Sequence, residues 1–283
     1  LLVNTTGLTN TAIGSATLAS NTTGGLNTAV GREALKYNTT ASNNVAVGNE
    51  SLKMNETGSS NTAVGFEAMK VNTTGQYNTA IGRQALDNNT TASFNTACGY
   101  QALDGNTTGA NNTAVGSYTL DANSTGSYNV AIGTDSLESN TTADDNVGIG
   151  AYALNSNTTG AYNIGIGRNT LDHNTTGANN TAVGHNALTA NTTANSNVAF
   201  GFDAAKAVTT GYHITAIGAY ALDACTTGYD NTGVGIGALS AVTTGLGNVA
   251  VGSYCARLVT GAGNVAIGRD TLYSQTTGNY NVA

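Results

Sequence analysis

The chain has 283 residues, among them 37 Gly and neither Pro nor Trp, and only 9% of its residues are charged. Its net charge is −7 and no basic cluster occurs, which argues against nucleic acid and against an anionic membrane surface as partners. No run of eighteen apolar residues and no signal-peptide pattern occurs, so we expect no membrane span. The composition therefore points away from an average globular enzyme.

A seventeen-residue repeat with the consensus N-T-T-G-x-x-N-[TV]-[AG]-[VI]-G-x-x-[AST]-L-x-x fills the chain. Twelve units begin with Asn, at Asn4, Asn21, Asn38, Asn55, Asn72, Asn89, Asn106, Asn123, Asn140, Asn157, Asn174 and Asn191. Later units begin at Val208, Cys225, Val242 and Val259, and a stub begins at Gln275. Such a short period predicts an all-β parallel solenoid, or β-roll, of about sixteen coils. We expect residues 1–283 to be a single array, uncapped at both ends, that belongs to a longer protein.

We number the positions of each unit from its first residue, so that Asn4 has the first position; the unit that begins at Val259 has sixteen residues because one Thr is missing, and its third position is skipped. The eleventh position is Gly in every complete unit, which predicts a structural corner with a positive φ or a close backbone approach. These glycines are Gly14, Gly31, Gly48, Gly65, Gly82, Gly99, Gly116, Gly133, Gly150, Gly167, Gly184, Gly201, Gly218, Gly235, Gly252 and Gly268.

The other positions also form columns of like residues. The tenth position is apolar and the fifteenth is nearly always Leu, and both are predicted to form the core. Two short strands per coil are expected, around positions seven to ten and fourteen to sixteen, because Gly and Thr-Thr pairs are poor helix material. The ninth position is only Ala or Gly, as at Ala114, Ala131 and Ala182, and is predicted to face outward as an interface between identical chains. The alternative is that the ninth position lies inside the coil and that the eighth and tenth positions face the neighbouring chain.

A slower rhythm of three units is visible at the fourth position, where Ala replaces Gly at Ala41, Ala92, Ala143 and Ala194. Two interpretations fit this spacing. Either a three-coil block was duplicated in tandem, which is the preferred interpretation, or three units together make one larger turn with three sides.

Residues suited to catalysis or metal binding are scattered. His173, His185 and His213 have three different unit positions, as do Cys98, Cys225 and Cys255. The acidic residues lack the spacing of calcium-binding rolls. We therefore expect no catalytic residue, no cofactor and no metal site.

The first-position Asn residues from Asn4 to Asn191 also read as N-glycosylation sequons. In a solenoid these side chains stand about 4.8 Å apart, so that glycans on all of them would collide. A structural ladder of Asn and Thr is therefore preferred over a series of glycan acceptors. The regular Thr columns leave an ice-binding surface as an alternative, weakened by the expectation that the eighth column faces the core.

The stretch Asn129-Val130-Ala131-Ile132-Gly133 and its copies, such as residues 264–268, resemble the head repeats of trimeric autotransporter adhesins. The longer pattern N-T-A-[IV]-G-x-x-A-L with N-T-T-G is similar to repeats of phage tail fibres and related bacterial surface proteins. The resemblance covers the whole chain. It implies a left-handed parallel β-roll, three chains packed side by side, and a role in attachment.

The sequence thus predicts a non-enzymatic, extracellular fibre segment on a cell or virion surface, which spaces or presents an adhesive tip. Its expected partners are identical chains, as a homotrimer or a filament, and a surface receptor or carbohydrate bound through flanking domains. Nucleic acid is not expected as a partner. A self-assembling filament subunit and an ice-binding solenoid remain as alternatives.

Overall fold

The computed structural model describes residues 3–283, which contain β-strands and turns and no helix. The chain divides into two compact units, Leu1–Asp144 and Asp145–Ala283. They are called the first and the second unit below, and each seventeen-residue segment is called a repeat. Each unit is a parallel β-solenoid in which one repeat makes one coil and contributes one three-residue strand. The predicted fold class, an all-β parallel solenoid, is confirmed.

Every strand covers the eighth to tenth positions of its repeat, where mostly β-branched residues flank an Ala or Gly. The first unit contains β1 (Thr11–Ile13), β2 (Thr28–Val30), β3 (Val45–Val47), β4 (Thr62–Val64), β5 (Thr79–Ile81), β6 (Thr96–Cys98), β7 (Thr113–Val115) and β8 (Val130–Ile132). The second unit contains β9 (Val147–Ile149), β10 (Ile164–Ile166), β11 (Thr181–Val183), β12 (Val198–Phe200), β13 (Thr215–Ile217), β14 (Thr232–Val234), β15 (Val249–Val251) and β16 (Val265–Ile267).

Within each unit, neighbouring strands pair in parallel and in register, one repeat apart. Ala46 pairs with Ala63 in the first unit, and Gly165 pairs with Ala182 in the second. The full turn of the solenoid is therefore one repeat. The alternative of a larger three-repeat turn is wrong, because coils with Ala at the fourth position pair with their direct neighbours like all the others.

The predicted second strand around positions fourteen to sixteen is absent from the described residues, and a turn occupies positions twelve to seventeen. Its backbone enters the left-handed region at the thirteenth and fifteenth positions of each coil, as at Glu50 (φ 58°) and Leu52 (φ 51°). These reversals are incompatible with a strand. They still leave the backbone bonded to the neighbouring coil, since the Leu35 amide donates to the Ser51 carbonyl at 3.1 Å.

The interior of the coil differs from the sequence prediction at two columns. The fifteenth column is buried as expected, with Leu137 fully inaccessible, but the ninth column is buried too, as at Ala131. The tenth column faces outward, and Ile132 keeps 39% of its surface exposed. The interface predicted at Ala114, Ala131 and Ala182 is therefore wrong, because all three side chains lie inside the coil.

Interior width explains this reversal. A Cβ built on Gly165, at the ninth position, would lie 3.3 Å from Cγ of Leu154, at the fifteenth position of the preceding coil. The strand and the Leu column are thus close enough to leave room for Ala or Gly only. Small residues at the ninth position fill a narrow core rather than an interface between chains.

The eleventh-position glycines form the corner after each strand and have φ values between 124° and 146°. This backbone region is essentially restricted to Gly. A Cβ on Gly48 would also overlap the carbonyl oxygen of Gly65 in the next coil. Both a positive φ and a close backbone approach therefore require Gly here.

Candidate functional surface

The most regular exposed feature is the outer face of the strands, formed by the eighth and tenth positions and hereafter called the strand face. Its tenth-position column is Val or Ile in most coils, with Ile81 42% and Ile217 41% exposed. Its eighth-position column is Thr, Val or Ile, and Val45 and Ile164 are among the exposed members. Each unit thus presents two parallel columns of mostly β-branched side chains to the outside.

Strand pairing fixes the spacing of these columns. Thr62 lies opposite Thr79, and Val64 lies opposite Ile81, with the same register in the neighbouring pairs. Parallel strands are about 4.8 Å apart, so the methyl and hydroxyl groups repeat at that interval. A repetitive apolar surface of this kind is typical of an interaction site rather than of a surface that faces only water.

Two Thr columns follow the first position and differ in their contacts. The second-position hydroxyls bond to the next coil, as when Thr73 Oγ1 donates to the Thr90 carbonyl at 3.0 Å. Third-position Thr residues, such as Thr74 and Thr108, are exposed in every complete seventeen-residue unit. The second column therefore stabilises the stack, whereas the third is available to solvent.

The first-position Asn residues lie inside the coil. From Asn21 to Asn191 their side chains are fully buried. Asn72 Nδ2 donates to Asn55 Oδ1 at 2.8 Å and to the Gly75 carbonyl at 3.1 Å. The structure thus places these residues in an internal amide ladder, in which a branched glycan has no space. At the exposed start of the ladder, Asn4 Oδ1 accepts the first such bond from Asn21.

A second amide ladder runs along the seventh position. The backbone N–H of Asn61 donates to Asn44 Oδ1 at 2.9 Å, and the side-chain Nδ2 of Asn61 donates to the Gly75 carbonyl at 2.8 Å. The same carbonyl also accepts the bond from Asn72. Sequence reasoning did not assign this ladder, although the near-invariant Asn at the seventh position could have indicated it.

An ion-pair ladder lies along the turn side of the first unit. Lys53 Nζ contacts Glu33 Oε2 at 2.6 Å and Glu50 Oε2 at 3.2 Å. Lys70 continues it to Glu50 and Glu67. The hydrogen bond from Lys53 lowers the pKa of both Glu33 and Glu50. The charges here neutralise one another and leave no patch of one sign.

Lys53 and Lys70 have the sixteenth position of their repeats, and the next three repeats have Asp87, Asp104 and Asp121 at that position. Burial, together with the neighbouring carboxylate of Asp104, raises the pKa of Asp87 to about 6 and that of Asp121 to about 6. Burial likewise raises the pKa of Asp104. This column is therefore a second, pH-sensitive electrostatic feature of the first unit.

The structure does not bring the histidines together. His185 stacks on Phe202 with ring centroids 5.5 Å apart, and His213 Nδ1 lies 3.1 Å from Asp230 Oδ1. All three cysteines are free, with Cys225 and Cys255 buried and Cys98 half-buried on the strand face. Cys98 was predicted to lie in the core, and its exposure follows from the outward orientation of the tenth column.

Residues 3–283 contain no group of three or more His, Cys, Asp or Glu side chains placed to hold a metal ion. Over the same residues, no helix is long and apolar enough to cross a membrane. The strand face and the columns beside it are therefore the features on which a function can be argued.

No protein-family model matches the chain, and no curated protein matches it.

Proposed function

We propose that this chain is a non-enzymatic fibre segment of a cell or virion surface, which spaces or presents an attachment tip. The observation that carries the proposal is the continuous bonding from coil to coil. Strand pairs, turn amides and two internal Asn ladders all run along the direction in which coils are added. An architecture of this kind grows by adding repeats, and each added repeat lengthens the array.

We further propose that identical chains associate side by side through the strand face, as a homotrimer. The resemblance to trimeric adhesin and tail-fibre repeats supports three chains and a left-handed coil. The physical support is the exposed Val and Ile column, with members such as Val115 and Val251, whose burial against a second chain would be favourable. The proposed interface is thus the tenth column, in line with the alternative in which the ninth position lies inside the coil.

Electron microscopy of the purified chain tests this proposal. Fibre function with side-by-side association predicts short particles of uniform length and three-fold cross-section. Open-ended threads would instead support the alternative of a self-assembling filament subunit. Compact particles of a single chain would contradict the proposed trimer.

An ice-binding solenoid is the second candidate, and the outward orientation of the eighth column favours it. Thr62, Thr79 and Thr113 lie on the strand face beside Val or Ile, so hydroxyls and methyls alternate on one regular surface. This removes the reason for assigning the eighth column to the core. Thermal hysteresis of a solution of the monomeric chain tests it, since an ice-binding strand face must be free of other chains.

A further inference from the structure

A cavity of about 320 Å³ opens on the turn side of the second unit. Its lining includes Tyr220, Asp223, Gly237, Tyr254 and Arg257, which come from three successive coils. None of its lining residues belongs to the strand face, so association through that face leaves the cavity accessible. The volume is at the lower end of the range for small-molecule sites, about 300 to 1,000 Å³.

The cavity exists because one coil lacks a side chain at the thirteenth position. The coils on either side carry Tyr220 and Tyr254 there, whereas the coil between them carries Gly237. The tyrosines are two coil-to-coil steps apart, which corresponds to roughly 10 Å along the solenoid. The Tyr254 ring leans into the space directly above Gly237, where an added Cβ would lie 2.9 Å from Tyr254 Cδ1, so the space that stays open lies between this ring and Tyr220. The result is a slot with an aromatic ring on each side.

Two charged side chains line this slot without pairing with each other. Among residues 3–283, neither Asp223 nor Arg257 forms an ion pair, and the half-buried Asp223 carboxylate lies in the cavity wall with its Oδ1 covered by protein. The Arg257 guanidinium is held in place by a 2.8 Å bond from Nη1 to the Tyr273 hydroxyl, and it lies 5.3 Å from the Tyr254 ring centroid. The slot thus offers a carboxylate as acceptor and a guanidinium whose remaining N–H groups can donate.

We propose that this slot binds one pyranose ring of a glycan, between Tyr220 and Tyr254, with Asp223 and Arg257 hydrogen-bonding its hydroxyls. A pyranose has apolar C–H faces that pack on aromatic rings and an edge of hydroxyls that both donate and accept. Asp223 accepts from such hydroxyls, and Arg257 donates to their oxygens. The site belongs to the coils themselves and does not depend on flanking domains or on the proposed fibre function.

Saturation-transfer NMR with methyl pyranosides tests the proposal on the full chain. The probes are the methyl glycosides of glucose, galactose, mannose, N-acetylglucosamine and glucuronic acid. At least one is expected to bind, with a dissociation constant on the order of 1 mM for a single ring. No transfer to any of the five would overturn the proposal.

Variants then locate the binding. Gly237→Asn fills the slot, and the backbone should accept it because Asn169 and Asn186 have φ values of 55° and 56° at the same position of other coils. We expect binding to fall at least tenfold in Gly237→Asn and also in Tyr220→Ala, which keeps the glycine. The matched control Tyr118→Ala removes a tyrosine of the same column outside the slot and should bind normally. Unchanged binding in the folded Gly237→Asn or Tyr220→Ala variant would overturn the proposal.

Discussion

Asn38 Nδ2 lies 2.7 Å from Oδ1 of Asn21, one repeat earlier in the chain, and both side chains are buried. Each amide in this column donates to the preceding Asn and to a carbonyl of its own coil. Buried amides are costly unless they are bonded, so each Asn is stabilised by its neighbours in the column. The stability of one coil therefore depends on the identity of the adjacent coils.

Asn106→Ala should destabilise the chain by about 2 to 4 kcal/mol, because it leaves buried amide groups unpaired. Asn106 donates to Asn89 Oδ1 at 3.0 Å and accepts from Asn123 Nδ2 at 2.9 Å. Urea unfolding followed by circular dichroism measures the change. The control Thr108→Ala alters an exposed third-position residue, and its free energy of unfolding should stay within about 0.5 kcal/mol of the wild-type value. Equal effects of the two substitutions would contradict the role of the ladder.

The reverse substitution Val242→Asn should also destabilise, by about 1 to 3 kcal/mol. Its neighbours in the column are Cys225 and Val259, which are buried and offer no amide. The ladder has already ended at Asn191, whose Oδ1 is buried without a donor. Thermal unfolding of the variant measures the effect, and a rise in melting temperature would show that single Asn residues stabilise a coil without neighbours.

Gly99→Ala should lower the free energy of unfolding by about 3 kcal/mol or more, since Gly99 has a φ of 146° and an added Cβ would overlap the Gly116 carbonyl oxygen. Gly247→Asn is the matched control. Gly247 has a φ of 66° with open space around it, a conformation that Asn tolerates. Urea unfolding should separate the two variants clearly. A well-folded Gly99→Ala chain would contradict the corner assignment.

Stability should rise as the pH falls from about 7 towards 5. The pKa of Asp87 is raised to about 6, as is that of Asp121, so the folded state binds protons more tightly than the unfolded state. The penalty from these carboxylates is present above pH 6 and is lost on acidification. The charges that face them are Asp104, Glu67 and Glu138, opposed at Asp87 by Lys70.

Further acidification should reverse this gain. Lys53 lowers the pKa of Glu33 and Glu50 from 4.5, so their contribution is present above that value and is lost as the pH falls through their folded-state pKa. Urea unfolding at a series of pH values should show a maximum near pH 5. The Asp87→Asn, Asp121→Asn double variant should lose most of the rise between pH 7 and 5. A wild-type chain that only loses stability below pH 7 would contradict these assignments.

The repeat length and the parallel β-solenoid were predictable from the sequence because a fixed period of Gly and β-branched residues has few structural solutions. The sequence left two alternatives for which side of each strand faces the interior, because Thr-Ala-Val alternates in the same way whichever side is buried. Ala131 could have indicated it, since a ninth column limited to Ala and Gly also fits a core only one side chain wide.

The turn could also have been predicted. A left-handed backbone conformation disfavours β-branched side chains, and the thirteenth and fifteenth columns contain no β-branched residue. Glu67 and Met69 are examples of the residues found there. The slot beside Gly237 was harder to foresee. It depends on the absence of one side chain between two tyrosines, which a consensus of the repeats averages away.

Sedimentation velocity most directly tests the claim that the strand face joins identical chains. The wild-type chain should sediment as a trimer, and the triple variant Ile81→Lys, Val115→Lys, Ile132→Lys should sediment as a folded monomer, because it places charges in the exposed tenth column. The triple variant Thr74→Lys, Thr108→Lys, Thr125→Lys adds the same charge to the exposed third column and should remain trimeric. A monomeric wild-type chain, or a trimer that survives the strand-face substitutions, would contradict the claim.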